Sequence, residues 1–435
     1  MPDDPTARRA MIDYDAVIRE DRVHGSLYVD PEVFAEEMSR IYARGWVFVG
    51  HDSEIPAPGD WVTRRLGREP VIFVRGGDGQ ARVLANRCAH RGTMLCWAAR
   101  GNSRSFVCTY HGWTFSLAGE LKGVPNPEGF HRQKADLGLD RPGQLAAYRG
   151  FVFANPSGDA PPLERHLGAA GQELIDRLCD LSPTGRIQAR GGWIGHRIDA
   201  NWKMLPESDN DGYHLRWVHA SMIRSAPDTY YEEAVLGTEQ PNPSRAVDHG
   251  RGHVELDFRP SYTTLGAWLG MSAKKAEPYL RALETAYGAK RATELLREGP
   301  PHAMIFPNLF LGEMNLAIVE PVAPAITIHH HTAVQLEGVD DAFNQRLLRQ
   351  SEAALGPASF IVPDDAVTAE RMQRAFAAKG SVRAARMDGA WIDLSRGLAR
   401  EEVDPTSGRR AGHVTDETTN RGFWRRYREV MTGRS

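Results

Sequence analysis

Two short clusters constrain this 435-residue chain more than anything else in it: Cys88-x-His90 in NRCAHRGTMLC and, after a 17-residue gap, Cys108-x2-His111 in FVCTYHGWTF. Each falls at the end of a segment with strand character, so a fold that joins the two strand ends gathers four ligands around one point. A single Cys or His in a β module is more often packed or at the surface. Four at matched short spacings make coincidence improbable. Cys2His2 is a standard zinc set, and a structural zinc site is the serious rival. Zinc fingers, however, usually group Cys with Cys and His with His, whereas each cluster here supplies one of each.

Mixed clusters suit a 2Fe-2S centre in which one iron takes two thiolates and the other two imidazoles, an arrangement that raises the reduction potential over an all-thiolate cluster. Together CAHRG and CTYHGW resemble the Rieske pair of loops. The resemblance implies Cys88 and Cys108 on the inner iron and His90 and His111 on the outer one. Gly92 and Gly112 would let the loop backbones approach the cluster. Trp113 and Tyr110 are expected to cover it, although ordinary core packing explains them equally well. Cys96 and Cys179 match no ligand position and read as packed thiols.

Around these clusters, WVTRRL, PVIFVR, ARVLANR, SFVCTY and FVFANP are short, β-branched or aromatic runs separated by turn residues, the pattern of an all-β module over 44–157. Before it, DPEVFAEEMSRIYARGWVFV reads as a helix capped by Asp30, with Val33, Phe34, Met38 and Ile41 at helical spacing. The Pro- and Gly-rich NPSGDAPPLERHL marks a boundary. Beyond it, AAGQELIDRLCDL looks helical and GRIQARGGWIGHRIDANW looks like paired strands. The long run from Ala267 has helical period, with Pro278 forcing a break or a helix start. TIHHHTAVQL reads as a strand and DDAFNQRLLRQSEAAL as an amphipathic helix. Strands and helices in blocks indicate an α+β class. The expected units are an arm and helix over 1–43, the β module over 44–157 and an α+β domain over 158–435.

A second constellation lies in NWKMLPESDNDGYHLRWVHAS, which contains Asp211-x2-His214-x4-His219. On an ideal helix, Asp211 and His214 share a face, but His214 and His219 diverge by about 140°. A π-type turn would let both face one metal. N-W-K, Glu207 and D-G-Y-H-x4-H, following a Rieske module, resemble the catalytic domain of Rieske non-heme iron ring-hydroxylating oxygenase α subunits of the naphthalene, benzoate and biphenyl dioxygenase type. The resemblance extends through ERMQ to the TDETTNRGFWRRYREV tail. It implies a helix-grip-like catalytic domain and a mononuclear Fe(II) on His214, His219 and a downstream acid. GPASFIVPDD puts that acid at Asp365, with Asp364 as the alternative. It further implies a substrate pocket at Ser208, Leu215, Phe360 and Ile361. Ser208 departs from the Asn that many relatives carry after the Glu. Asp211 is expected to accept a hydrogen bond from His214 and to bridge towards His111 of a neighbouring subunit; an acid that merely caps backbone amides is the bland alternative.

Two His and one carboxylate leave open positions for O2 beside a substrate. Hydroxylating a stable arene with O2 takes two electrons from outside, which explains a cluster and an open iron on one polypeptide. No GxGxxG-type dinucleotide site occurs, so NAD(P)H electrons are expected through a ferredoxin or reductase component. The family also implies a homotrimer, with or without a small β subunit. Arg216 and Arg224 flank the iron segment and are candidates for binding an aromatic carboxylate bidentately. His329, His330 and His331 alternate faces of a strand and make a poor metal tract. The rival readings are a Rieske electron-transfer protein and a zinc-binding regulatory module.

Composition closes off other classes. With 53 Lys+Arg against 56 Asp+Glu, the chain carries no basic footprint for nucleic acid or an anionic membrane. No run of about 18 apolar residues suggests a membrane span, and MPDDPTARRAMIDYDAV lacks the apolar stretch of a secretory signal. Four cysteines are too few for a disulfide framework, and a cytoplasmic location is expected.

Overall fold

The computed structural model describes residues 12–225, 242–262, 264–378 and 390–434; residues 1–11 of the expected N-terminal arm lie outside them. Three small antiparallel sheets carry the segment with the Cys/His clusters. Strands Ala81–Ala85, Glu69–Arg75, Asp60–Leu66 and Arg100–Asn102 form a four-stranded sheet in that order, and Ser105–Val107, Thr114–Ser116 and Leu121–Gly123 form a three-stranded one. Trp61, Ile72, Val74, Leu84, Phe106 and Phe115 fill the space between them, together with the buried thiols of Cys88, Cys96 and Cys108. The third sheet pairs Val47–His51 with Phe151–Asn155, and that strand with Gln144–Tyr148. Phe48, Phe151 and Phe153 of this sheet pack with Leu163, Leu167 and Trp268, so it is joined to the later part of the chain by a continuous core.

The later part is built on a nine-stranded antiparallel sheet whose order runs from Ile194–Ile198 through Ile326–Ala333, Asn315–Ala323, Leu309–Gly312, His302–Ile305, Val254–Asp257, Arg245–Asp248 and Arg410–His413 to Glu402–Val403. Helices Asp341–Leu355, Val362–Ala377 and Thr418–Thr432 pack on it. An all-β unit plus a helix-covered antiparallel sheet is the α+β architecture that the blocks of strand and helix pattern predict.

Local departures have local causes. The helix expected over 30–49 spans only Pro31–Glu37, capped by the Asp30 carboxylate on Glu32 N–H. It loosens into a π turn at Met38–Tyr42 and gives way to strand at Val47. The two strands in GRIQARGGWIGHRIDANW do not pair with each other. Ile187–Gln188 pairs with Gln335–Leu336, and Ile194–Ile198 with Ile326–Ala333, because each finds a longer-range partner that buries its apolar face. Pro278 neither breaks nor starts a helix. It is the sixth residue of Ala273–Tyr287, where burial of Tyr279 and Leu283 outweighs one lost backbone hydrogen bond, and the break falls at Gly288, whose φ of 82° is left-handed.

Candidate metal centres and the adjoining cavity

The two Cys/His loops fold alike. Cys88 N–H donates to Thr93 O and Gly92 N–H to Cys88 O, each at 2.9 Å. In the second loop Cys108 N–H donates to Trp113 O at 2.8 Å and Gly112 N–H to Cys108 O at 2.9 Å. Both closures place a glycine at positive φ, 77° at Gly92 and 70° at Gly112, which is why the spacing of Cys to Gly is four in each. The result sets Cys88 and Cys108 deep and His90 and His111 further out, their rings 4.6 Å apart. The thiols face each other, and burial pushes the Cys88 thiol up. His90 Nδ1 is buried without a hydrogen-bond partner. Paired thiols inside, paired imidazoles outside and an orphaned ring nitrogen between them fit a mixed-ligand 2Fe-2S cluster. Trp113 is buried and stacks on His90 at 4.9 Å. Tyr110 stacks on the His111 ring at 3.8 Å and leaves its outer side, 57% of the residue, exposed to solvent. Burial pushes Cys96 and Cys179 up to about 12, as expected of packed, unreactive thiols.

The second centre begins at a buried polar knot. Glu37 accepts from Lys203 Nζ at 2.5 Å, Tyr427 O–H at 2.6 Å and Trp202 Nε1 at 2.8 Å; Glu207 accepts from Tyr28 O–H at 2.7 Å and Trp424 Nε1 at 2.6 Å. These bonds tie N-terminal residues and the C-terminal helix to the short helix Met204–Asp209, from which the chain runs to His214. They explain the W-K and Glu of the motif, while Asn201 Nδ2 donates to Pro324 O at 2.7 Å; Glu37, Tyr28, Trp424 and Tyr427 escaped the sequence reading because their partners lie far along the chain.

His214 and His219 converge without a π turn. His214 precedes the four-residue helix Leu215–Val218 with helical φ −75°, ψ −23°, and His219 leaves it at φ −96°, ψ 22°, so the helix between them is a single turn and not the regular one for which the 140° divergence is drawn. Their Nε2 atoms are 3.2 Å apart, and Asp365 Oδ1 lies 3.5 Å from the first and 3.4 Å from the second. The three ligand atoms all fall within 4.8 Å of one another. Asp364 reaches only His219 Nδ1, at 3.8 Å, and is more exposed. Asp365 Oδ1 and Asp364 Oδ2 are both buried with no hydrogen-bond partner, so it is the approach to both imidazoles that singles out Asp365. Burial alone would lower His214, yet Asp211 and Asp365 hold it up to about 10, so the pocket attracts positive charge. Asp211 accepts from His214 Nδ1 at 3.1 Å and from Tyr213 N–H at 2.7 Å, serving ligand and backbone together.

A pocket with about 800 Å³ of empty space, the open solvent at its mouth included, adjoins these three residues. Ser208, Leu215 and Ile361 line it. Phe360 does not: it precedes the helix Val362–Ala377 and is 47% exposed. Arg216 and Arg224 do not line it either, and Arg224 is exposed. Among the described residues the wall is mainly apolar, through Met222, Phe258, Phe310 and Leu355, with His302, Glu313 and Asn315 as polar additions. Asp209 also reaches it, and burial raises its carboxyl well above the usual range. His329 and His331 are buried on one face of their strand, while His330 turns to the other and meets Glu320 at 3.0 Å. None of the three lines the cavity.

Comparison with known proteins agrees with both centres. Residues 45–139 match the Rieske [2Fe-2S] domain, and residues 186–433 match the ring hydroxylating alpha subunit catalytic domain. The anthranilate 1,2-dioxygenase large subunit of Acinetobacter baylyi is 29% identical over 92% of this chain and 86% of its own. The large oxygenase component of the naphthalene 1,2-dioxygenase system of Pseudomonas aeruginosa is 30% identical over 93% of this chain and 89% of its own. A crystal structure of naphthalene 1,2-dioxygenase with indole bound in the active site superposes with a TM-score of 0.82, covering 97% of this chain and 95% of that one at 26% identity. The chain therefore belongs to the Rieske non-heme iron ring-hydroxylating oxygenases as a large, or α, subunit, a terminal oxygenase that uses a 2Fe-2S cluster and a mononuclear iron to hydroxylate aromatic rings with O2.

Proposed function

We propose that Cys88 and Cys108 hold the inner iron and His90 and His111 the outer iron of the Rieske cluster, and that His214, His219 and Asp365 hold the mononuclear Fe(II). The observation that carries the second assignment is the convergence of two imidazole nitrogens and one unpartnered carboxylate oxygen on a single point at the wall of an apolar cavity. When bound, the cluster supplies electrons one at a time and the iron binds and activates O2. The chain's own residues do the rest. Asp211 takes the His214 Nδ1 proton in a hydrogen bond, fixing the tautomer whose Nε2 lone pair faces the metal. Met222, Phe258 and Leu355 exclude water and seat a flat ring beside the triad.

Family members work with ferredoxin or reductase components and form multimers. We further propose a homotrimeric core, with or without a small subunit, in which Asp211 of one copy faces His111 of the next. A division into 1–43, 44–157 and 158–435, a cytoplasmic setting and a small aromatic substrate complete the reading. In support, no helix among the described residues is long and apolar enough to cross a membrane, and the four cysteines are free. The test is anaerobic reduction of the purified protein followed by O2 and candidate arenes. A hydroxylated product is expected. Zinc without labile sulfide, or reoxidation that never yields product, would favour a regulatory module or an electron-transfer protein.

A further inference from the structure

Two histidines that belong to neither metal centre are buried in a way that packing does not explain. His329 and His331 point to the same face of the strand Ile326–Ala333 and are 4% and 1% exposed. His329 Nε2 and both ring nitrogens of His331 have no hydrogen-bond partner. An apolar ring would fill the same space without stranding three polar atoms. Asp209 Oδ2 stands 3.8 Å from His329 Nε2, and it too is buried without a partner. A closure of about 0.8 Å makes that pair a hydrogen bond.

These atoms fall on a line of titratable groups. Asp209, the last residue of Met204–Asp209, lines the cavity that the iron triad adjoins. His329 lies behind it, and His331 follows about 7 Å further along the same strand face, a step that adjoining rings or one bridging water can span. His196 of the neighbouring strand pairs with His329 in register and stacks on His331, with ring centroids 5.1 Å apart and planes at 13°. Its ring is partly exposed, and its Nε2 donates to the carbonyl oxygen of Leu355 at 3.1 Å. The line therefore runs from solvent to the cavity. Burial lowers His329 to about 3 and His331 to about 4 and raises the Asp209 carboxyl, which favours the uncharged form of each. The other titratable groups that face His329 are His330 and, from the helix Val362–Ala377, Asp365.

Adding O2 to an arene consumes two electrons and two protons, whether the product keeps both oxygen atoms or one leaves as water. The cluster supplies the electrons. An arene seated against Met222, Phe258 and Leu355 displaces the water that would bring the protons through the cavity mouth. We propose that His196, His331, His329 and Asp209 form a relay that carries protons from solvent to the cavity, where Asp209 delivers them. Each group passes a proton forward from one nitrogen or oxygen and takes another from behind, so no charge stays in the interior. This rests on the iron assignment above and adds to it the source of the protons.

The experiment uses the metal-loaded protein with its full Rieske spectrum. Asp209→Asn and His331→Phe keep the size of the side chain and remove its proton exchange. The single-turnover rate constant for product should fall roughly a hundredfold in each, the scale of a lost positioned proton transfer, and the slowing in D2O should exceed that of wild type. His331 does not line the cavity, so His331→Phe should bind arene with the wild-type dissociation constant in anaerobic calorimetry. His331→Ala should regain rate with added imidazole and not with pyrrole, a ring of the same size without a basic nitrogen. His330→Asn, on the opposite strand face, should turn over as wild type does. The urea midpoint reads the Asp209–His329 contact without turnover: the downshifts of Asp209→Asn and His329→Phe should not add in the double variant. Product at the wild-type rate in Asp209→Asn or His331→Phe, or additive midpoint shifts, overturns the relay and leaves the oxygenase reading standing. An equal loss in His330→Asn, or rescue by pyrrole as well as imidazole, makes the loss structural and overturns it too. A wild type that forms no product from any arene removes the iron assignment and the relay with it.

Discussion

The buried knot behind the iron segment can be tested by removing Glu37. Both Glu37 and Lys203 are fully buried, and Glu37 takes hydrogen bonds from three donors. Glu37→Leu leaves the Lys203 ammonium without its partner, which costs about 3–5 kcal/mol for a broken buried pair. It also strands the Tyr427 hydroxyl and the Trp202 indole N–H, at about 1–3 kcal/mol each. The sum, roughly 5–11 kcal/mol, is comparable with the whole stability of a typical domain. The variant should unfold at far lower urea or fail to accumulate as folded protein. Glu37→Leu with Lys203→Met removes the stranded charge as well, so the double variant should be more stable than the single by about 3 kcal/mol. Urea unfolding followed by tryptophan fluorescence and far-UV circular dichroism reads both. A single variant within about 1 kcal/mol of wild type, or a double variant weaker than the single, would refute the reasoning.

Asp211→Ala should leave both metals bound yet slow electron transfer between the centres; freeze-quenched samples whose reduced cluster reoxidises at the wild-type rate with substrate and O2 would rule out the bridge. Cys96→Ala and Cys179→Ala should keep the Rieske absorbance that Cys108→Ala abolishes, because only the last is assigned as a ligand. His253, lowered to about 4 by burial, stays neutral in the fold and takes its proton on unfolding, so its contribution is intact above pH 6.5 and is lost as pH falls towards 4. Between pH 7.5 and 5.5 wild type should lose about 1.3 kcal/mol relative to His253→Asn, read from paired urea curves. Glu207, raised to about 7 chiefly by burial, has the opposite sign: its contribution is present at low pH and is lost as pH rises through 7, so against Glu207→Gln wild type should gain about 2 kcal/mol on the same acid shift.

The metal-centre motifs were legible because their chemistry demands particular residue types at short range. Cys88 to His90, Cys108 to His111 and Asp211 to His219 are local in sequence, and Asp365 came from a resemblance that extends well beyond them. What escaped was set by distant contacts. Glu37 and Lys203 meet across 166 positions, and Glu207 and Trp424 across 217, so no window of sequence contains either pair. The turn at Glu313 and Met314 was invisible because it lacks the glycine or asparagine that announces a left-handed pair. Phe360, Arg216 and Arg224 failed as cavity residues for a related reason: nearness to a ligand in sequence does not set which way a side chain faces at a helix end.

The most direct test of the central claim is a single turnover by the fully reduced protein, wild type against Asp365→Ala, with iron content and Rieske spectrum measured on the same samples. Wild type should give hydroxylated arene when O2 is admitted. Asp365→Ala should keep the Rieske spectrum, lose the mononuclear iron and form no product. Retention of that iron with undiminished product, especially if Asp364→Ala loses both, would contradict the assignment of the centre.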